Sequence, residues 1–247
     1  MSKPTRDLHD YTLQYRSLPF ESIQASFRRR MVLQRIKLAR PQRLLEIGCG
    51  ENALFTDLPG QDVTVVEPSI EFADVARKSA NRFTNVQVIT GFLEDVNVDL
   101  GQFDGVVISC LLHEVTDPAA LLQAAKYCCA QGAWLHVNVP NSQSLHRLLA
   151  VAMGLITESS ALSDMQLKMQ QQRTYDSTSL QAAINDAGFT CIDSGSLFIK
   201  PFTHQQMQSL VDLGFMTSAI LEGLDRLSMQ LPEIGSEIWC EARCDNA

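Results

Sequence analysis

No apolar run in the 247-residue chain approaches the roughly 18 residues that a membrane-spanning helix needs. The opening stretch MSKPTRDLHD is polar, so neither membrane insertion nor a secretory leader is expected. Paired cysteine spacing is also missing. The seven cysteines are an odd number with no C-x-x-C; Cys128 and Cys129 are adjacent, and Cys240 and Cys244 have no histidine companions at zinc spacing. That excludes a disulfide framework and a structural metal site, and points to free thiols in a reducing cytoplasm. Basic residues are in the minority, 20 against 28 acidic ones, for a net charge of -8. Such a balance opposes a broad phosphate-binding face, so nucleic acid is not an expected partner. No repeat of about 20 to 50 residues is present, and low complexity is confined to QLKMQQQR. What is there is ordinary globular material, 45% hydrophobic and 19% charged, enough for one elaborated domain.

The order of the apolar patterns sets the fold class. Phe20, Ile23, Phe27, Met31 and Ile36 recur at near-helical spacing, predicting an amphipathic helix from Phe20 to Leu38. Residues 1–40 thus read as a helical preface. Short apolar runs follow at Arg43–Ile47, Asp62–Glu67, Val86–Thr90, Phe103–Cys110 and Ala133–Val139, each the length of a buried strand. Helix-like segments at Ala53–Leu58, Ile70–Arg82 and Pro118–Ala130 separate them. Strand-helix alternation of this kind implies an α/β, doubly wound, mostly parallel sheet covered on both faces, a Rossmann-like arrangement.

The stretch RLLEIGCGENALF, Arg43 to Phe55, then falls at the tip of the first strand, where such sheets bind ligands. Gly48 and Gly50 let backbone approach a ligand closely, and the turn leads into a helix start. Because Gly48-x-Gly50-x-x-Ala53 also fits the dinucleotide pattern, the glycines alone leave NAD open. The charges discriminate. A pyrophosphate would lie beside Glu46 and Glu51, with no Lys or Arg between Leu44 and Arg77. An acid ahead of the glycines suits a cationic ligand instead, and S-adenosylmethionine (SAM) carries an ammonium and a sulfonium but no phosphate. Glu67, ending the second strand, is placed to accept ribose hydroxyls. In TGFLEDV, Phe92, Leu93 and Glu94 are placed to form an apolar adenine slot with a polar rim.

Taken in order, LLEIGCGEN, VVEPS, GFLEDV and FDGVVISCLLHEVTDP resemble the successive motifs of class I SAM-dependent methyltransferases, over about Arg43 to Asn141. The resemblance implies that Glu46, Gly48 and Gly50, with Cys49, cradle the methionine end. It implies that Glu67 with Pro68 holds the ribose, that Phe92, Leu93 and Glu94 line the adenine pocket, and that Ser109 completes the cofactor set; the product would be S-adenosylhomocysteine. Three departures stand out: Asn52 where many members have a third glycine, Phe92 where many have Asp, and Leu112-His113-Glu114-Val115 where many read Leu-Glu-His-Val.

Methyl transfer to a hydroxyl needs orientation and a base for the departing proton. His113, after the fourth strand, is the first candidate; the alternative is a pocket-shaping hydrogen bond to a loop carbonyl. Glu114 caps structure or binds, and His136, within the fifth strand, reads as a core histidine. Residues 41–141 would form the SAM-binding core and 142–176 a helical lid. The segment VPNSQSLHR resembles one in methyltransferases of bacterial sugar and polysaccharide pathways. Asn141, His146, Arg147, Arg173 and Tyr175 would line the acceptor side, the arginines suiting a phosphate or carboxylate; otherwise they face water. Met153, Leu155, Met165 and Met169 read as core, and Arg28-Arg29-Arg30 as a solvated helix face. Residues 177–247 complete the sheet with two strand-like runs, AGFTCIDSGSLFIK and GSEIWCEAR, and a helical insertion over Thr203–Leu231 that packs on the sheet or, alternatively, against a second subunit in a homodimer.

The expected activity is cytoplasmic SAM-dependent methylation of a small polar metabolite, an O-methylation of a sugar or sugar-nucleotide-like acceptor. The competing readings are an NAD-dependent oxidoreductase, opposed by Glu46 and Glu51, and a SAM-binding regulatory subunit without turnover.

Overall fold

The computed structural model describes residues 7–96 and 100–245. Its strands are β1 (Arg43–Ile47), β2 (Asp62–Glu67), β3 (Val86–Thr90), β4 (Phe103–Ser109), β5 (Cys129–Pro140), β6 (Phe189–Leu197) and β7 (Glu237–Cys244). They form one sheet in the order β3-β2-β1-β4-β5-β7-β6. The strands from β3 across to β5 pair in parallel, and β7 runs antiparallel between β5 and β6. The chain winds outward from β1 to β3, then returns to β4 on the other side. Strand direction thus stays constant while winding reverses, and a crevice opens above the C-terminal tips of β1 and β4.

The expected β1, β2 and β3 match residue for residue; β1 and β2 are buried on both faces beyond their first residue, which writes near-continuous apolar runs into them, while β3 lies partly exposed at the sheet edge. Leu45, Ile47, Val106 and Ile108 pack on one face; Leu44, Val63, Val65 and Val107 pack on the other, against Val32 and Ile36. Those last two belong to α2 (Glu21–Ala39), which matches the predicted preface helix. A further helix within the expected preface, not delimited from the sequence, α1 (Leu8–Arg16), precedes it, capped by Asp7, whose carboxylate accepts the Asp10 amide. α1 rests on α3 (Ile70–Ala80) through the Tyr15–Phe72 ring contact and a hydroxyl contact of 3.3 Å between Thr12 and Ser69.

α4 (Pro118–Tyr127) covers the β4–β5 crossover and ends earlier than expected, because β5 begins at Cys129, opposite Phe103. The lid contains two short helices, α5 (Leu145–Ala152) and α6 (Asp164–Lys168), before α7 (Ser177–Asp186) leads into β6. The inserted pair is α8 (His204–Asp212) and α9 (Ser218–Leu227). Met207, Met216 and Leu221 from this pair close a separate core with Phe20, Phe27 and Phe198, while Phe215 and Ile220 stay exposed. The insertion therefore packs on α2 and the end of β6.

Two expectations are corrected here. Met153, Leu155 and Met165 are not core: each is at least half exposed, and of the four only Met169 is buried. Their segment arches over the crevice instead of lying on the sheet. Nor is the arginine triplet wholly a solvated face: Arg30 is exposed, but Arg28 and Arg29 are largely covered. The Arg28 guanidinium grips Glu237 and Glu21, Arg29 grips Asp57, and Arg30 grips Glu222 and Asp225.

Candidate active site

A cavity of about 990 Å³ occupies the crevice and runs from the glycine loop to the far side of the lid. Its walls come from the tips of β1, β2 and β4, from α1 and α2, and from the lid.

At the near end, Gly48 and Gly50 have φ of +74° and +55°, left-handed values that disfavour any side chain. A Cβ on Gly50 would meet nothing within 4 Å, so the backbone there borders open space. The turn does not lead into an α-helix as expected but into one 3-10 turn, Leu54–Asp57. Its free amide at Leu54 donates to both carboxylate oxygens of Glu46, at 2.9 and 3.1 Å. Glu46 is 4% exposed, and burial, outweighing this amide and the charge of Arg29, pushes its carboxyl up to about 8. Glu67 is equally buried; it accepts the amides of Gly50 at 3.2 Å and Ser69 at 2.8 Å. A carboxylate has about four acceptor positions, so both oxygens can take further donors. Burial raises its pKa too.

Sequence reasoning treated Glu51 as an unbalanced charge. It is not: Arg16 of α1 reaches over the loop and pairs with it. Arg29 of α2 donates to the carbonyls of Asn52 and Ala53, tying the loop from behind. These arginines lie far outside the Leu44–Arg77 window, so the absence of local positive charge was only a local fact. The acids that remain facing the cavity, Glu46 and Glu67, still favour a cationic ligand over a pyrophosphate.

Cys49, Pro68 and Ser109 line the same end. Phe92, Leu93 and Glu94 do not line the cavity: Leu93 is in the core, and Phe92 and Glu94 are exposed beside the tip of β2, where the Gly91 amide donates to the Glu67 carbonyl. Tyr11 and Tyr15, missed in the sequence because α1 was missed, cover the near end.

At mid-cavity, β4 is followed by Cys110, a non-glycine residue at φ +54° whose N–H donates to the Asn138 carbonyl. The following turn buries His113 and Glu114, with His113 Nε2 3.6 Å from Glu114 Oε1. The Tyr11 hydroxyl lies 3.3 Å from the same carboxylate oxygen. The His113 carbonyl accepts the amides of Gln172 and Arg173, which fastens the end of the lid to this turn. His136 is apart from this site, fully buried between the rings of Trp134 and Trp239, as a core histidine.

Of the expected acceptor residues, Asn141, His146, Arg147 and Arg173 line the cavity and Tyr175 does not; Tyr175 is buried in the main core. Asn141 spends its amide on the carbonyls of Glu233 and Gly235. Arg147 donates to the Ser159 and Ala161 carbonyls and to Gln166. Arg173 donates to the Thr116 carbonyl. These side chains brace the lid rather than present open donors. A polar group sits beyond them: Arg28 of the arginine triplet, with Glu237, Gln24, Lys200 and His204, which the sequence does not single out.

No helix among the described residues is long and apolar enough to cross a membrane. An adenosyl ligand with a cationic amino-acid end fits the near end: the left-handed Gly50 borders open space, the left-handed Gly48 backs onto Leu111, and two buried carboxylates with spare acceptor capacity face the cavity.

Known proteins share this fold. A family model described as a methyltransferase domain matches residues 21–194. No curated protein sequence matches the chain. A Thermotoga maritima structure, described as a SAM-dependent methyltransferase and possible histamine N-methyltransferase, superposes with a TM-score of 0.59 at 18% identity, covering 96% of this chain and 99% of the other. The N-methyltransferase NodS from Bradyrhizobium japonicum, solved with S-adenosylhomocysteine, gives 0.55 at 13% identity, covering 95% and 97%. A Haloferax volcanii protein solved in complex with the Trm112 methyltransferase activator gives 0.61 at 13% identity, covering 99% and 100%. With the seven-stranded fold, the acid-flanked glycine loop and a family match over most of its length, the chain belongs to the SAM-dependent methyltransferases of class I fold.

Proposed function

We propose that the chain methylates an oxygen of a small polar acceptor of sugar or sugar-nucleotide type, bound in the part of the crevice under the lid. SAM, when bound, supplies an electrophilic methyl carbon. Glu46 and the Gly48–Gly50 backbone hold its methionine end, and Glu67 with Pro68 holds its ribose. Phe92 and Glu94, exposed beside the tip of β2, would meet the adenine at the rim, while Leu93 supports them from the core. Residues 41–141 make the cofactor half and 142–176 the cover.

His113 takes the acceptor proton. The observation that carries this role is its position: a buried imidazole after β4, in the wall of the same cavity as the glycine loop, with Glu114 at 3.6 Å. A carboxylate at that distance steadies the imidazolium formed when the proton arrives. The lid excludes water, which strengthens this interaction and orients the acceptor for in-line attack.

A nitrogen acceptor is the second reading, since two of the superposed structures are described as N-methyltransferases. The test is a panel of sugars, sugar nucleotides and small amines incubated with SAM, with S-adenosylhomocysteine release and product mass as readouts. A methylated sugar oxygen supports the first reading; a methylated amine supports the second. Strong SAM binding with no product across the panel would favour a regulatory subunit.

A further inference from the structure

The two ends of the crevice differ in charge. Glu46, Glu51 and Glu67 line the glycine-loop end, where Arg16 and Arg29 are already paired, whereas at the far end, under α5 and beside the start of β7, the cations Arg28, Arg147 and Lys200 outnumber the carboxylates Glu21 and Glu237. Lys200 is the least expected of these cations. It follows β6 through Phe198, held at φ +51°, whose carbonyl accepts the Ser236 amide, while the Ile199 amide donates to the Leu224 carbonyl. These bonds turn the chain inward and leave Lys200 in the cavity wall at 3% exposure.

The neighbouring carboxylates are committed elsewhere. Glu237, fully buried, accepts from Arg28 Nε at 2.9 Å, Arg28 Nη2 at 2.6 Å, Gln24 at 2.8 Å and Asn138 at 3.1 Å. Glu21 accepts from Arg28 Nη1 at 3.1 Å. Among the described residues no carboxylate oxygen lies within 4.0 Å of the Lys200 ammonium. Arg147, on the lid side, donates only to neutral oxygens. His204 Nδ1 is 3.1 Å from the Pro19 carbonyl, an arrangement that fits the neutral ring donating to it, and His146 Nδ1 is buried without a partner. Burial and the nearby cations hold both imidazoles far below their usual range, to about 3 and about 2. Three permanent or near-permanent cations, Arg28, Arg147 and Lys200, thus face this end against two carboxylates, Glu21 and Glu237. A buried cation without a counter-ion is costly, and a ligand anion removes that cost.

We infer that the methyl acceptor carries an anionic group, a carboxylate or a phosphate monoester, held by the Lys200 ammonium at the end of the crevice away from the glycine loop. This rests on the crevice being the acceptor site of a methyltransferase. It adds the charge class of the acceptor and the residue that selects it. The acceptor then spans the cavity, its reacting group near His113 and its anion near Lys200. Desolvation lowers the Lys200 ammonium to about 8, with Glu21 and Glu237 opposing and Arg28 and Arg147 assisting. Anion binding is therefore present below that pH and lost as pH rises through it.

The test uses the full chain saturated with S-adenosylhomocysteine, titrated calorimetrically with inorganic phosphate in one arm and acetate in the other, at pH 7 and pH 9.5. One of the two anions should bind at pH 7, and binding should weaken at least about tenfold at pH 9.5 or in Lys200→Met, the scale of one lost charge-assisted contact. Lys200→Arg should retain binding at both pH values, since the guanidinium does not titrate there. S-adenosylhomocysteine affinity should stay the same in both variants, which also reports that they are folded. If neither anion binds the loaded protein, or if Lys200→Met binds as wild type does, the inference is overturned. If S-adenosylhomocysteine itself does not bind wild type, the methyltransferase reading fails first, and the two failures are separate.

Discussion

Glu67 Oε2 accepts the Gly50 amide at 3.2 Å, so the carboxylate that ends β2 also holds the glycine loop that ends β1. One side chain both shapes the loop and offers its remaining acceptor positions to the ribose. Glu67→Ala should weaken SAM by about 1.5–3 kcal/mol, the range for losing charge-assisted hydrogen bonds. Calorimetry on the folded variant checks this. Unchanged affinity would remove Glu67 from the ribose.

Glu46 predicts a pH dependence. Its carboxyl, raised from 4.5 to about 8, is largely protonated at neutral pH without ligand. The cationic end of SAM favours the ionised form, so binding should release a proton and affinity should rise with pH up to about 8, at most tenfold per pH unit. The stability of the apo-protein should follow the opposite trend. The unfolded state ionises first, so the Glu46 contribution to stability is full below 4.5 and is lost as pH rises to about 8. Glu46→Gln should abolish both effects. Calorimetry in two buffers of different ionisation enthalpy measures the proton, and none released from wild type near pH 7 would rule the mechanism out.

His113→Ala should separate binding from chemistry. With His113 as the base, turnover falls by about 10²- to 10⁴-fold while SAM affinity holds, and added imidazole restores part of the rate. A variant that binds SAM poorly yet turns over normally at saturation would make His113 a wall of the pocket.

Arg28 should matter for stability far more than a surface arginine. Arg28→Met strands the fully buried Glu237 and should cost about 3–5 kcal/mol in denaturant unfolding. Arg28→Met with Glu237→Gln should recover much of that loss. Equal loss in the single and double variants would mean that the pair is not coupled.

Arg147 should control the lid. Arg147→Lys keeps the charge but cannot reproduce the three-way grip on Ser159, Ala161 and Gln166. Limited proteolysis between residues 153 and 163 should quicken by about tenfold or more, through easier local opening, with SAM affinity unaltered. A proteolysis rate equal to wild type would show that the lid is held by other means.

The cofactor half was legible in the sequence because its signals are local. Strands buried on both faces spell themselves as apolar runs, and Gly48 and Gly50 mark backbone that no side chain can follow. The acceptor half was not, because its partners are remote. Nothing near Arg28 in the chain announces Glu237, and Lys200 reads as the polar end of an apolar strand. The lid methionines misled for a related reason: Met153 and Met165 have the composition of core but lie where the chain bridges a crevice. α1 escaped because its apolar residues do not gather into one stripe, while Asp7 and Asp10 cap it by a bond that composition alone does not reveal.

The position of β7 between β5 and β6 also has a bearing on synthesis. Among the described residues β6 pairs with β7 and with no other strand, so on the ribosome it has no seat in the sheet until the residues through Cys244 have emerged. The five parallel strands can close the cofactor end well before then. The wall that carries Glu237 would form after the strands that carry the glycine loop, so the cofactor end of the crevice would close before its far end.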